Sequence, residues 1–428
     1  MIYITQLIYI KEGQEKIFDE FAGFEDVAVV FFDADADGDL DLAIGPGGNN
    51  QPPNSREIQL RLYKNDGHGN FAVDAAAFPT NDADINILTP GDFNKDGFMD
   101  LFAGAGSAPR DYGVSPASML LINDGHGHFT NLCAGKNKDI AQMGMVKSAV
   151  WADVLGNGHQ QLVVTGEWMA PRIFSYTGDR FKEINSNLNK LFGWWRCVVA
   201  TDVNGDGKTD LVLGNIGENF YLRPDSAHPV KLFIGDFDKS NDQNEKILTR
   251  TYGGKDVPVF LKREITDQFP ALKKQNLRHA DFASKTVQEL FGKELLAKAE
   301  VKQFNFSSSI VAINAGNGQF VIEKLPLETQ LSSLNCVLPL DLKDNGKMVL
   351  LTGGNEFGFQ PQFGCLDANY GQLLENNGKG IFTCMDQRTT GLDFRGAARD
   401  MQLVHTGRGK RILVLQNDQP PVLLAIKP

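Results

Sequence analysis

Asp33-Ala-Asp-Ala-Asp-Gly-Asp-Leu-Asp41 carries carboxylates at its first, third, fifth and ninth positions and a glycine at its sixth. Alternate residues of so tight a loop point inward, the glycine supplies the φ > 0 turn, and the seventh position offers a backbone carbonyl. This is the first half of a calcium loop, with the closing acid three residues earlier than in an EF-hand. Asp33, Asp35, Asp37 and Asp41 are therefore expected to ligate through side chains and Asp39 through its carbonyl. Four carboxylates held together repel unless a hard divalent cation sits among them, and an all-oxygen set favours Ca2+ over zinc or copper. The plain alternative is an ordinary Asp/Gly-rich hairpin turn.

The stretch is written again along the chain. Asp92-Phe-Asn-Lys-Asp-Gly-Phe-Met-Asp100 and Asp202-Val-Asn-Gly-Asp-Gly-Lys-Thr-Asp210 keep acid, amide, acid, glycine and acid in the same places. They predict two more sites, from Asp92, Asn94, Asp96, the Phe98 carbonyl and Asp100, and from Asp202, Asn204, Asp206, the Lys208 carbonyl and Asp210. A fourth copy, Asp236 to Asn244, has Asn241 in place of the glycine and an amide at its end, so Asp236, Asp238 and Ser240 predict a weaker site. Leu155 removes a ligand from the Asp153 copy. Lys343 places an ammonium in the Asp341 copy, and both of these loops are expected to be metal-free.

Short apolar runs flank each loop, from Val27 to Phe32 ahead of the first and Leu40 to Ile44 behind it, and likewise around the others. Their length and β-branching favour strands, so each loop joins two antiparallel strands. A second phrase follows: Leu62-Tyr-Lys-Asn-Asp-Gly-His-Gly-Asn-Phe71, repeated at 121–129 and more weakly at 176–181, 313–320 and 375–382. Asn-Gly and Asp-Gly between apolar runs are strong hairpin signals, and the closing phenylalanine reads as packing between repeats. Each repeat therefore holds four strands.

The loops start at 33, 92, 153, 202, 236 and 341, in steps of 59, 61, 49, 34 and 105. A seventh unit without acids fits Ala398 to Leu415. Four-stranded units at this period predict an all-β fold, a seven-bladed β-propeller of antiparallel blades forming one domain over residues 1–428. The short step suggests a truncated fourth blade, and Lys262 to Glu300 reads as a helical insertion of two or three helices within the fifth. The opening run from Gln6 to Phe18 resembles the Leu-Tyr-Lys-Asn hairpin, and would close the last blade against C-terminal strands such as Val422 to Ile426.

Composition bounds the function. A net charge of −11 over 428 residues argues against a nucleic-acid partner. No run of 18 apolar residues predicts a membrane span. Five cysteines show no CxxC spacing, and Cys197 and Cys336 read as buried strand thiols. The first residues lack a basic region and a cleavage site, which points to an intracellular protein or a piece of a longer one.

Taken together, the repeated loops and hairpins resemble the FG-GAP (VCBS) repeat family, whose blades carry an inner-strand calcium loop as in integrin α-subunit propellers. Gly166-Glu-Trp-Met-Ala-Pro171, Gly193-Trp-Trp195, Gly214-Asn-Ile-Gly-Glu-Asn219 and Gly235-Asp-Phe-Asp238 resemble, more narrowly, the bacterial surface group whose longer members carry ASPIC/UnbV modules. Leu155, Lys343 and Asn241 depart from the repeat pattern. The resemblance implies an extracellular, cell-surface or periplasmic protein.

No Ser/His/Asp order, HExxH helix, Walker loop or GxGxxG after a strand is present, and most histidines fall in turns. The leading expectation is a non-catalytic, calcium-stabilised scaffold that binds a protein or glycan. A polysaccharide lyase or a lectin is the alternative, since the resemblance extends to calcium propellers of that kind. Second strands must end on the rim opposite the acidic loops. That places Arg110, Tyr112, Glu167, Trp168, Asn215, Asn219 and Asn355 on one candidate ligand face, where glycines could instead serve only to let strand ends crowd together.

Overall fold

The computed structural model describes residues 2–3, 16–133, 137–178, 180–240, 244–342, 346–407 and 409–426. These residues form seven antiparallel sheets, six of four strands and one of five. The first sheet comprises Asp26–Phe32, Asp41–Pro46, Arg61–Asn65 and Phe71–Asp74. Asp84–Gly91, Asp100–Ser107, Met119–Asn123 and Phe129–Asn131 form the second. The third holds Met145–Ala152, Gln161–Met169, Arg172–Tyr176 and Phe181–Glu183, with Gly193–Trp194 added on its second strand. Each acidic loop joins the first two strands of its sheet and each Asn-Gly or Asp-Gly turn the last two, as the sequence predicts.

The next sheet departs from the expectation. Cys197–Thr201 and Asp210–Gly214 are completed by Ile310–Gly316 and Gln319–Lys324, nearly a hundred residues further on. The fourth sheet is therefore not truncated. Between its halves lies an inserted sheet, ordered Lys255–Pro258, Glu245–Tyr252, Val230–Gly235 and Glu300–Phe304. Five short helices between Lys262 and Leu296 sit in that insertion. Ile265, Phe269, Leu272, Val287, Leu290 and Phe291 bury against Phe233, Phe237 and Ile247 of the inserted sheet.

The fifth sheet contains Leu334–Leu340, Val349–Gly354, Gln372–Asn376 and Phe382–Cys384. In the sixth, Ala398–Thr406, Gly409–Gln416 and Gln419–Ile426 are joined by Ile2–Tyr3, paired on the last of them. The expected opening hairpin falls largely at 4–15, outside the described residues, and Lys16–Phe21 is a 3-10 helix.

The first strands of these six sheets pack on one another in chain order. Cores form between neighbouring sheets. Phe129 of the second sheet lies 6.2 Å from Phe32 of the first. Phe181 of the third lies 5.2 Å from Phe93, in the second sheet's acidic loop. The hairpin phenylalanines are thus packing residues between repeats. Close approach is bought with glycine at the ends of second strands. A Cβ on Gly214 would stand 2.2 Å from the Leu334 carbonyl of the next sheet.

All five cysteines are free thiols; Cys197 and Cys336 are buried, and burial pushes the Cys197 thiol up to about 12. Among the described residues no helix is long and apolar enough to cross a membrane.

Candidate functional sites

In the Asp33 loop the carboxylate oxygens of Asp33, Asp35 and Asp37 lie within 4.8 Å of one another. Backbone turns hold them there. Gly38, at φ 95°, donates its N–H to Asp33 Oδ2 at 3.1 Å, and Asp39 N–H reaches Asp37 Oδ1 at 3.1 Å. Asp33 Oδ1, Asp35 Oδ1 and Asp39 Oδ1 are buried without any hydrogen-bond partner. Orphaned anionic oxygens converging on one point fit a hard cation, because a buried acceptor left unpaired is costly. The Lys64 ammonium stands 3.5 Å from Asp35 and supplies part of the compensating charge.

The ninth acid is built differently from the other four. Asp41 is fully buried; Oδ2 accepts the Ala34 N–H and Oδ1 the Asn65 N–H, both at 2.8 Å. Asp210 repeats this with Val203 and Asn314, and Asp100 accepts from Asn123 while its Oδ2 has no partner. Burial, resisted by the Asn123 N–H and reinforced by Asp96 and Asp92, pushes the Asp100 carboxyl up to about 7. The ninth acid therefore ties the loop to the third strand, which ligand spacing alone does not reveal.

In the other two complete loops the first acid again accepts the glycine N–H. Gly97 donates to Asp92 at 3.1 Å and Gly207 to Asp202 at 2.8 Å. Asn94 and Asn204 each accept, through Oδ1, the backbone N–H of Asp96 and Asp206, at 2.9 and 3.0 Å. The N–H groups of Phe98 and Lys208 reach Asp96 and Asp206.

In the Asp153 copy Gln161 Oε1 takes the place of the ninth carboxylate, accepting from Val154 at 3.0 Å. In the Asp236 loop Ser240 N–H bonds Asp236 and Asp238, and Glu245 Oε2 accepts the Phe237 N–H at 2.7 Å. Asp236, Asp238 and Glu245 bring their oxygens within 4.8 Å of one another. Glu245 was not expected, because its longer side chain does the ninth position's work from the tenth. Asn241 and Lys343 lie outside the described residues.

A recurring asparagine couples these loops across sheets. Asn123 Nδ2 donates to the Ala34 carbonyl of the first sheet's loop at 2.8 Å, and Asn314 Nδ2 to the Val154 carbonyl of the third sheet's loop at 2.8 Å. Asn376 Nδ2 reaches the Val203 carbonyl of the fourth in the same way. Sequence reading took these residues only as turn formers.

At the opposite ends of the inner strands lies a cavity of about 550 Å³. Five of the six inner strands have a register break there, at Val27, Asn86, Lys147, Asn335 and Arg399. Each bulged residue lines the cavity, joined by Arg196 immediately ahead of the fourth inner strand. A bulge re-aims the extra side chain, here toward the common centre.

Around it runs an ionic chain. Arg196 bonds Glu167 at 2.6 Å and stands 3.7 Å from Glu356, which Arg399 approaches at 3.5 Å; Lys147 lies 3.8 Å from Glu167. Tyr112 donates its hydroxyl to Glu167 at 2.9 Å and accepts the Trp168 indole N–H at 3.1 Å. Burial alone would raise the Glu167 carboxyl; the charges of Lys147 and Arg196 and the Tyr112 hydroxyl outweigh it and hold the group below its ordinary value.

The residues proposed from sequence for this face divide. Tyr112 and Glu167 belong to the network. Arg110 ties two strand exits together, donating from its backbone and Nε to Asn49 and Asn50. Trp168 is buried 5.1 Å from Trp194. Asn215 and Asn355 are fully buried anchors; Asn355 donates to the carbonyls of Asn369 and Arg395. Asn219 is exposed and bonds the Leu331 carbonyl at 3.2 Å. Lys147, Arg196, Glu356 and Arg399 were missed. For Lys147, Arg196 and Arg399 the signal was a polar residue at or near the start of an inner apolar run.

Comparison with protein-family models matches the FG-GAP-like repeat at residues 33–103 and 153–213. The chain carries FG-GAP-like repeats in these two segments. Both matched segments begin at the first acid of one sheet's loop and end in the second strand of the next sheet, so each spans parts of two neighbouring sheets. No curated protein matches the sequence.

Among solved structures, the Dos1 propeller is 10% identical with TM-score 0.40, over 94% of this chain and 77% of that one. Rhamnogalacturonan lyase YesW is 11% identical with TM-score 0.34, over 94% and 71%. An auxiliary nutrient binding protein from Bacteroides thetaiotaomicron is 9% identical with TM-score 0.37, over 94% and 68%.

Proposed function

We propose that this FG-GAP-repeat chain is a calcium-binding, non-catalytic scaffold that presents a ligand face to a protein or glycan outside the cytoplasm, at the cell surface or in the periplasm. The observation that carries the reading is the pair of partnerless carboxylate oxygens at Asp33 and Asp35, in a loop where the carboxylates of Asp33, Asp35 and Asp37 converge. Ca2+ would be held there by Asp33, Asp35, Asp37, the Asp39 carbonyl and Asp41, in the Asp92 and Asp202 loops by the corresponding residues, and more weakly by Asp236, Asp238 and Ser240 with Glu245. Bound calcium supplies charge neutralisation and rigidity at one rim. Extracellular calcium modules bind at roughly 10⁻⁴ to 10⁻³ M, an affinity suited to that location.

The same reading makes the six sheets that share the cavity the blades of one ring. The sheet expected as a separate blade is an insertion in the fourth, so the ring counts six rather than seven. The test is metal content by native mass spectrometry, with thermal unfolding in calcium and in chelator. Binding of calcium with a higher melting temperature is expected; no bound metal and identical unfolding would overturn the reading.

A further inference from the structure

We infer that the bulge-lined cavity is a binding site for a neutral oligosaccharide. This rests on the scaffold reading and assigns its ligand face. Three features select the chemistry.

First, the lining is polar and balanced in charge. Lys147, Arg196 and Arg399 are matched by Asp26, Glu356 and Asp418. An apolar ligand would strand these groups without partners, and a polyanion would meet as much repulsion as attraction. Sugar hydroxyls donate and accept at once, so they can bond to guanidinium, carboxylate and carboxamide alike.

Second, the polar groups are fixed in advance. Bulges set where Lys147 and Arg399 leave their strands. Arg196 is held by Glu167 and Glu356. Groups held in place lose little entropy when a flexible, hydrated ligand arrives.

Third, the cavity has the size of a ligand site. The volume of about 550 Å³ falls within the roughly 300–1,000 Å³ typical of small-molecule sites.

The experiment titrates the full chain, in calcium, with short neutral oligomers of glucose, mannose and galactose and with matched uronic-acid oligomers, by calorimetry. At least one neutral series is expected to bind, and the uronic-acid series to bind more weakly. Arg399→Gln and Asn417→Ala, both at exposed cavity-lining positions, should each weaken binding about tenfold at unchanged melting temperature, whereas Glu323→Gln, on the outermost strand of the fourth sheet, should not. Absence of neutral binding, preference for the uronic acids, or full binding in both variants would overturn the inference. Calcium-dependent stabilisation that persists without sugar binding sinks this assignment alone; loss of both sinks the scaffold reading as well.

Discussion

Asn123→Ala tests whether loops and sheets are coupled as described. The side chain makes three hydrogen bonds: to the Ala34 carbonyl at 2.8 Å, to the Met99 carbonyl at 3.0 Å, and from the Gly125 N–H at 3.0 Å. Its backbone N–H bond to Asp100 survives the change. Ala34 is fully buried, so its carbonyl loses this side-chain donor where water does not replace it. A buried group left unpaired costs about 1–3 kcal/mol, and with some water reaching the other two the total should be about 2–4 kcal/mol.

Asn65→Ala is the internal control. Asn65 occupies the same strand position, but its side chain bonds only within its own sheet, to the Leu40 carbonyl and from the Gly69 N–H, and is partly exposed. Its loss should cost about 1 kcal/mol. Urea unfolding in calcium would show the difference as a lower midpoint at constant m-value. Because Ala34 is the second residue of the Asp33 loop, calcium affinity there should fall as well. Equal costs for the two variants, with unchanged calcium affinity, would refute the coupling.

Asp37→Ala should lower stability in calcium and not in chelator; at tenfold excess over Kd each occupied site contributes about 1.4 kcal/mol, readable by thermal melts. Glu167 supplies the pH dependence: its folded value lies below the ordinary 4.5, so its contribution is full above that pH and is lost as pH falls through the folded value. Wild type should therefore weaken on acidification below about pH 4.5, and Glu167→Gln should show a flatter acid limb in urea midpoints from a lower neutral plateau. Gly214→Ala should cost about 3 kcal/mol or more, since the new Cβ meets the Leu334 backbone. Gly156→Ala, at φ +66° in open space, should cost about 1 kcal/mol by calorimetry.

Where the sequence was legible, the cause was local. The loop of acids in Asp33 to Asp41 follows from one tight turn, and strand type follows from runs such as Val146 to Trp151, so both can be read without knowing what packs nearby. Sheet membership is not local. The Asp202 and Asp236 loops look alike on the page, yet the first belongs to a sheet completed by Ile310–Gly316 and the second to an insertion. Periodicity counts loops and cannot tell which hairpin returns to which strand, so the 34-residue step read as a shortened blade. The structural use of the ninth acid escaped for a related reason, since its partner on the third strand, Asn65 or Asn123, lies more than twenty residues away.

The cavity escaped for a different reason. A bulge is one residue too many in an alternating strand, and in Val146-Lys147-Ser148 or Ala398-Arg399-Asp400 it looks like a polar interruption of an apolar run. A single interruption carries no weight. Recurrence of the break at the same end of five inner strands does, because one-residue insertions cost ladder hydrogen bonds each time and yet all turn a side chain to one centre. Local rules fail where function displaces them. Functional residues in this chain are accordingly better sought at the broken registers than on the glycine-rich strand exits, where Asn215, Asn355 and Trp168 are buried holding the strand ends together.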